Sequence, residues 1–239
     1  MGGVAGSISD RASGEEVFRR LSESLRPRWD EYVVLVAHRY DGNPFAVLAA
    51  IILSQNTSDK NSIRAYMRLR ERLGGVTAEK ILSLPEDELV ELIRPAGLPR
   101  QKARALREAA RRILEAGGEK VLEEMPPERL RGFLLSIPGV GKKTADVFLS
   151  FYRKAPVFAV DTHALRIAKR WGLVGERAGY DEASRALLEF FGPRLAEEAH
   201  RLIIALGRRY CTARSPRCGE CPLRDICPYA AGARPGSGE

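Results

Sequence analysis

Two lysines follow a turn built from proline and glycine. The stretch is Leu134-Leu135-Ser136-Ile137-Pro138-Gly139-Val140-Gly141-Lys142-Lys143-Thr144-Ala145. A helix is expected to end near Ser136, and Pro138 with the two glycines forces a tight turn. A second helix then starts near Gly141. Backbone N–H groups of Gly139, Val140, Gly141 and Lys142 are expected to point outward and hold a phosphate oxygen, with the helix dipole assisting. Glycine suits this position because a Cβ would hold the phosphate away. The apolar stripe of the second helix is Ala145, Phe148, Leu149 and Tyr152. Stepping back two residues from Ala145 turns about 200°, so Lys143 is expected on the face opposite the stripe and Lys142 nearer its edge. A free amine there is a nucleophile able to form a Schiff base. Taken alone, the motif serves equally well as a pair of solvated phosphate contacts.

A second candidate is Asp161, in Val157-Phe158-Ala159-Val160-Asp161-Thr162-His163. Locally it reads as the N-cap of the helix that follows. It also suits a carboxylate that moves a proton or stabilises a developing oxocarbenium charge, and the two roles are compatible. His163 reads as a structural hydrogen-bonding residue. The third feature is four cysteines, Cys211, Cys218, Cys221 and Cys227, spaced C-x6-C-x2-C-x5-C. Nothing in the sequence indicates secretion, which disfavours disulfides. The pattern reads as a metal site, and the ligand set suits either zinc or a 4Fe–4S cluster. Arg214 and Arg217 lie in the six-residue segment between the first two cysteines and are candidate phosphate readers.

These residues sit in a chain of 239 residues with 44% apolar and 29% charged side chains, which excludes a wholly disordered protein. The longest apolar run, Phe45 to Leu53, is nine residues, about half of what a membrane span needs. With no signal-peptide pattern at the start, a soluble intracellular protein is expected, in the cytoplasm or nucleoid. Lys plus Arg exceed Asp plus Glu by 39 to 31, for a net charge of +8. That balance favours a polyanionic partner. Arg outnumbers Lys 31 to 8, and arginine is the better fork for phosphate.

The elements that position these residues are helical. Ala199, Leu202, Ile203, Leu206 and Tyr210 form one 3.6-residue stripe, and Ala103, Leu106, Ala110, Ile113 and Leu114 another. Asn43-Pro44 marks a helix start. Ser83 and Glu86 have capping-box spacing, and Pro126-Pro127-Glu128 opens a further helix. Only Val157 to Val160 reads as extended. About ten helices are expected. The first dozen residues and Ala230 to Glu239, rich in glycine and serine, read as tails.

The hairpin, the Val-Asp-Thr-His segment and the cysteine spacing, in this order, resemble the endonuclease III family of DNA glycosylases over roughly residues 15 to 228. The resemblance implies an all-α fold of two helical domains with a DNA-binding cleft between them, a helix-hairpin-helix motif and a C-terminal iron–sulfur cluster loop. Residues 1–40 would join the cluster domain, 41–155 would form a six-helix barrel domain carrying the hairpin, and 156–239 the cluster domain. Lys143 becomes the Schiff-base nucleophile and Asp161 its carboxylate partner, facing each other across the cleft. Cys211, Cys218, Cys221 and Cys227 become ligands of a 4Fe–4S cluster. Ile52-Leu53-Ser54-Gln55-Asn56-Thr57-Ser58-Asp59 resembles the family's loop that fills the hole left by a flipped base. Its glutamine stands one place early, so either Gln55 or Asn56 is the wedge. Ala96-Gly97-Leu98-Pro99-Arg100-Gln101-Lys102-Ala103 resembles the second wedge loop, with Leu98 inserted.

The implied partner is double-stranded DNA containing damaged bases or abasic sites, met by a monomer. The implied reaction is removal of oxidised pyrimidines followed by β-elimination. One alternative is a monofunctional mismatch glycosylase, a relative that generally lacks a lysine at the position of Lys143. The other is a non-catalytic DNA-binding module holding zinc.

Overall fold

The computed structural model describes residues 6–232. Fourteen α-helices occur among them: α1 (Gly14–Leu25), α2 (Val33–Tyr40), α3 (Pro44–Ser54), α4 (Asp59–Leu73), α5 (Ala78–Ser83), α6 (Glu86–Ile93), α7 (Pro99–Glu115), α8 (Val121–Glu124), α9 (Pro127–Ser136), α10 (Lys142–Phe151), α11 (Thr162–Arg170), α12 (Tyr180–Phe191), α13 (Ala196–Arg209) and α14 (Pro228–Gly232). The fold is all-α, and no strand forms among the described residues. The count exceeds the expected ten because pieces such as α5, α8 and α14 are too short to show a period. None of the helices is long and apolar enough to cross a membrane.

The chain divides into two compact units. One is residues 28–154, and the other joins residues up to 27 to those from 155 onward. The boundary falls at Pro27 rather than at residue 40, because α2 packs against α3 and α4. The 28–154 unit is built around α3, whose residues Pro44 to Leu53 are all buried. A helix apolar on every side belongs inside a bundle, which accounts for the nine-residue apolar run. Asn43 caps it, its side-chain oxygen accepting from the Ala46 N–H at 2.7 Å. The expected Ser83 capping box does not form. Ser83 is the last residue of α5 and its hydroxyl donates to the Lys80 carbonyl, so Pro85 opens α6 without a side-chain cap. The acidic first turn of α6, Glu86 to Glu88, still complements the helix dipole.

In the other unit, α1, α11, α12 and α13 enclose a core that includes Leu21, Phe158, Ile167, Trp171, Leu187 and Ile203. Residues 6–12 are anchored rather than a free tail, with Ile8 in this core and Ala12 packed against it. Ile8 is 0% exposed, and its N–H donates to the Trp171 carbonyl at 2.8 Å. The remainder of the expected tails, residues 1–5 and 233–239, lies outside the described residues, while Ala230 to Gly232 complete α14. The extended run ending at Val160 is buried without a strand partner. The Ser184 hydroxyl donates to the Phe158 carbonyl and the Val160 N–H donates to the Tyr180 hydroxyl, so α12 supplies the hydrogen bonds a neighbouring strand would.

The closest approach in this unit is at Gly14, where a Cβ would stand 1.9 Å from the Phe190 carbonyl oxygen. Backbone on both sides leaves nothing flexible to yield. Gly14→Ala is expected to lower stability by about 3 kcal/mol, at the upper end of ordinary overpacking. A thermal melt with an unchanged midpoint would show that α1 and α12 separate freely.

Candidate functional site

The hairpin joins α9 to α10. Its sharp turn needs Gly139 for two reasons: φ is +90°, and a Cβ would lie 2.7 Å from the Ala105 Cβ on α7. Val140 departs from expectation. Its side chain is buried, and its N–H donates to the Ile137 carbonyl at 3.0 Å, closing the turn from within. The Val140 N–H is therefore spent within the turn, while Gly139 and Gly141 are exposed and the first turn of α10 keeps backbone N–H groups without helical partners.

Two polar braces hold this hairpin. Arg131 on α9 donates to both carboxylate oxygens of Asp146 on α10, at 2.7 and 3.1 Å, with the Asp146 side chain 1% exposed. From α3, the Gln55 amide donates to the Gly139 carbonyl at 2.9 Å and to the Thr144 hydroxyl at 3.0 Å. Lys142 and Lys143 are the first two residues of α10. Lys142 is exposed and Lys143 half-buried. Lys143 projects less freely than the stripe implies, because Thr144 and Asp146 are buried as well and widen the inner face of α10.

The two candidate wedge loops also belong to the 28–154 unit. Gln55 is engaged with the hairpin, whereas Asn56 beside it is exposed and adopts φ +51°. Leu98 is 53% exposed and adopts φ +48° immediately before the first residue of α7. Left-handed backbone at residues bearing side chains costs of order 1–2 kcal/mol each. Such strain is held by the surrounding fold and marks both tips as candidate contact points.

Asp161 lies in the other unit as the N-cap of α11, its Oδ1 accepting from the Ala164 N–H at 2.7 Å. The side chain is half-buried. Capping fixes one oxygen and the orientation of the carboxylate. His163 is structural: its Nδ1 accepts from Arg166 at 2.9 Å, and its ring packs where a Cβ on Gly207 would stand 2.4 Å away. Burial pushes its pKa below the ordinary histidine value, in keeping with a neutral acceptor.

Cys211, Cys218, Cys221 and Cys227 are all half-buried, and three of them pack against the core of their unit. Burial pushes the Cys221 thiol up to about 12 and raises Cys218 and Cys227, and the neighbouring thiolates raise all three further. A metal centre bound by the four sulfurs would offset that penalty by holding them as thiolates. The donor set, four cysteine sulfurs on one loop of one unit, fits the four-thiolate ligand set of an iron–sulfur cluster. Arg170 Nη1 stands 3.1 Å from the Cys211 Sγ and also donates to the Thr212 carbonyl at 2.7 Å, and Arg166 donates to the Cys211 carbonyl. Both loop arginines, Arg214 and Arg217, are exposed. Arg217 is a strut, donating to the Arg209 carbonyl and lying 3.9 Å from Glu220.

The braces Arg131, Asp146 and Thr144, the cluster-loop donors Arg166 and Arg170, and the buried Lys102 carry no separate signal in a motif. Lys102 did leave one trace. It falls in register with Leu106, Ala109 and Ile113 on the buried face of α7, where a lysine is out of place.

Residues 49–193 match the family described as HhH-GPD superfamily base excision DNA repair protein, and residues 211–227 match the iron-sulfur binding domain of endonuclease III. Endonuclease III of Sulfolobus acidocaldarius is 34% identical over 218 residues, covering 90% of this chain and 95% of that protein. Among solved structures, a non-covalent endonuclease III–DNA complex aligns with a TM-score of 0.75 at 29% identity, over 92% of this chain and 98% of that one. A trapped endonuclease III–DNA covalent intermediate aligns with a TM-score of 0.73 at 28% identity, again over 92% and 98%. The hairpin lies within the first matched region and all four cysteines within the second, and the chain belongs to the endonuclease III family of base excision DNA glycosylases, with an iron–sulfur cluster domain at its cysteines.

Proposed function

We propose that this protein is a bifunctional DNA glycosylase and abasic-site lyase that removes oxidised pyrimidines from duplex DNA through a Schiff base on Lys143. The observation that carries the reading is the position of Lys143. It is the second residue of a helix whose start is fixed by Gly139 and braced by Gln55 and the Arg131–Asp146 pair. A relative with 28% identity has been trapped as a covalent intermediate on DNA, which supports covalent chemistry in this family.

In this reading the duplex is gripped at its phosphates by the hairpin and by Arg214, and the damaged nucleotide is rotated out of the stack. Unstacking costs a few kcal/mol, least at damaged positions. Asn56 and Leu98 fill the gap, and Gln55, engaged with the hairpin, holds the loop instead of entering the duplex. The Lys143 amine attacks C1′, and the base leaves with the glycosidic electron pair and takes a proton. Opening of the sugar ring yields the Schiff base. Loss of a C2′ proton then expels the 3′ phosphate, and water hydrolyses the imine to free the enzyme. Asp161 accepts the proton released by the attacking amine and stabilises cationic character at C1′. The Cys211–Cys227 cluster, when bound, supplies a rigid, structural anchor for the Arg214 loop. One protein molecule suffices for one lesion.

Borohydride added during reaction with a thymine glycol duplex is expected to trap the wild-type protein on DNA. Lys143→Ala should neither trap nor nick, while still binding the duplex. Nicking by that variant would remove Lys143 from the mechanism. Duplex affinity should fall by orders of magnitude between 50 and 200 mM salt, about 10³-fold if six phosphates are contacted, and a flat titration would contradict phosphate gripping by a basic surface. Asn56→Ala should slow excision with little change in melting midpoint, and Gln55→Ala should lower the midpoint, by about 1 kcal/mol of stability per lost hydrogen bond. The reverse pattern would make Gln55 the wedge.

A further inference from the structure

We propose that Lys102 is a positioning residue that couples the Asn56 and Leu98 tips, so that both enter the duplex as one preset element. The inference rests on the reading of these two residues as wedges. Lys102 lies on α7 and is 3% exposed. Its Nζ donates to the Leu53 carbonyl and to the Ala96 carbonyl, each at 2.8 Å. Leu53 is near the end of α3, three residues before Asn56. Ala96 closes the short turn two residues before Leu98. The Lys102 backbone N–H also donates to the Leu98 carbonyl at 3.0 Å. The side chain of one residue therefore grips the root of the first loop and the root of the second, while its backbone makes the first helical hydrogen bond of α7 to the second tip.

The placement is costly, which is why it calls for a role. Burial alone pushes the Lys102 pKa down to about 8. The surrounding positions on α7, Ala103, Leu106 and Ala110, are apolar, and a residue of that kind would serve packing without a buried amine. What an apolar side chain cannot supply is a donor that reaches two carbonyls from different loops. Both tips hold left-handed φ values, +51° and +48°, a conformation that relaxes unless the roots are held. With 3% exposure Lys102 itself is shielded from DNA, so its action is through the loops.

The test uses the cluster-loaded protein and a thymine glycol duplex with 2-aminopurine opposite the lesion, whose fluorescence reports extrusion. Lys102→Met removes the donor at similar volume, and Lys102→Gln keeps amide protons on a shorter arm. Each variant is measured well below its own melting midpoint. Lys102→Met is expected to slow extrusion about tenfold with affinity for undamaged duplex within about twofold, and Lys102→Gln to recover part of the rate. The deciding measurement is a cycle with Asn56→Ala and Leu98→Ala. Added to that pair, Lys102→Met should cost less than about twofold more, because its effect passes through the same side chains.

Full multiplication of the two effects, or extrusion at the wild-type rate in both Lys102 variants, overturns the proposal while leaving the wedge assignment in place. Wild-type extrusion in the Asn56→Ala, Leu98→Ala protein overturns the wedge assignment itself. Should Lys102→Met fail to fold, Lys102→Gln carries the same cycle.

Discussion

A helix buried on every side cannot hand its last carbonyls to water. The final turn of any α-helix leaves carbonyl groups without an intrahelical donor, and an interior one must find protein donors for them. α3 is that helix here, buried from Pro44 to Leu53. The Leu53 carbonyl is met by the ammonium of Lys102, and just beyond the helix the Gln55 amide reaches the hairpin. The donor that satisfies this buried terminus also ties the end of α3 to the turn before α7, and the adjacent Gln55 ties the same loop to the start of α10. The candidate DNA-contacting parts of this unit are set by the same few hydrogen bonds that make its core tenable.

The cluster domain solves a different electrostatic problem. Cys218, Cys221 and Cys227 lie where burial disfavours thiolates, and α11 places the guanidinium of Arg170 beside the Cys211 sulfur. Arg166 and Arg170 spend most of their donors on the carbonyls of Cys211, Thr212 and Ala213. They shape the loop as much as they offset charge. A cluster held by the four cysteines would offset the rest. From α1, Arg20 donates to both oxygens of Asp225, at 2.8 Å each, and fastens the far end of the same loop.

What was legible in the sequence is what local pattern encodes. The glycine turn, the cysteine spacing, the N-cap aspartate and the long amphipathic stripes depend on neighbours a few residues apart, and the all-α fold follows from the stripes. What was not legible depends on contacts between distant segments. Val140 has the sequence position of a phosphate donor, but its N–H closes the turn on the Ile137 carbonyl. Ser83 had capping-box spacing but lies within α5. Ile8 sits in a glycine- and serine-rich stretch, yet it is fully buried in the core of its unit, where the Trp171 carbonyl accepts its N–H. Gln55 and Asn56 are adjacent polar residues in sequence, and only the position of Gly139 and Thr144, more than eighty residues away, separates a brace from an exposed tip.

The discontinuity of the second unit has a consequence for how the protein is made. Residues 28–154 are contiguous and can close their core as soon as α10 has been synthesised. α1 precedes them but packs on α12 and α13. At about 5–20 residues per second, α1 waits on the order of ten to thirty seconds after its own synthesis for α13 to appear. Throughout that interval Val17 and Leu21, fully buried in the finished fold, stand on an unpaired amphipathic helix while an inserted unit folds behind it. The nascent chain therefore carries an early hydrophobic segment whose protection falls to the ribosome surface and to chaperones rather than to its own fold.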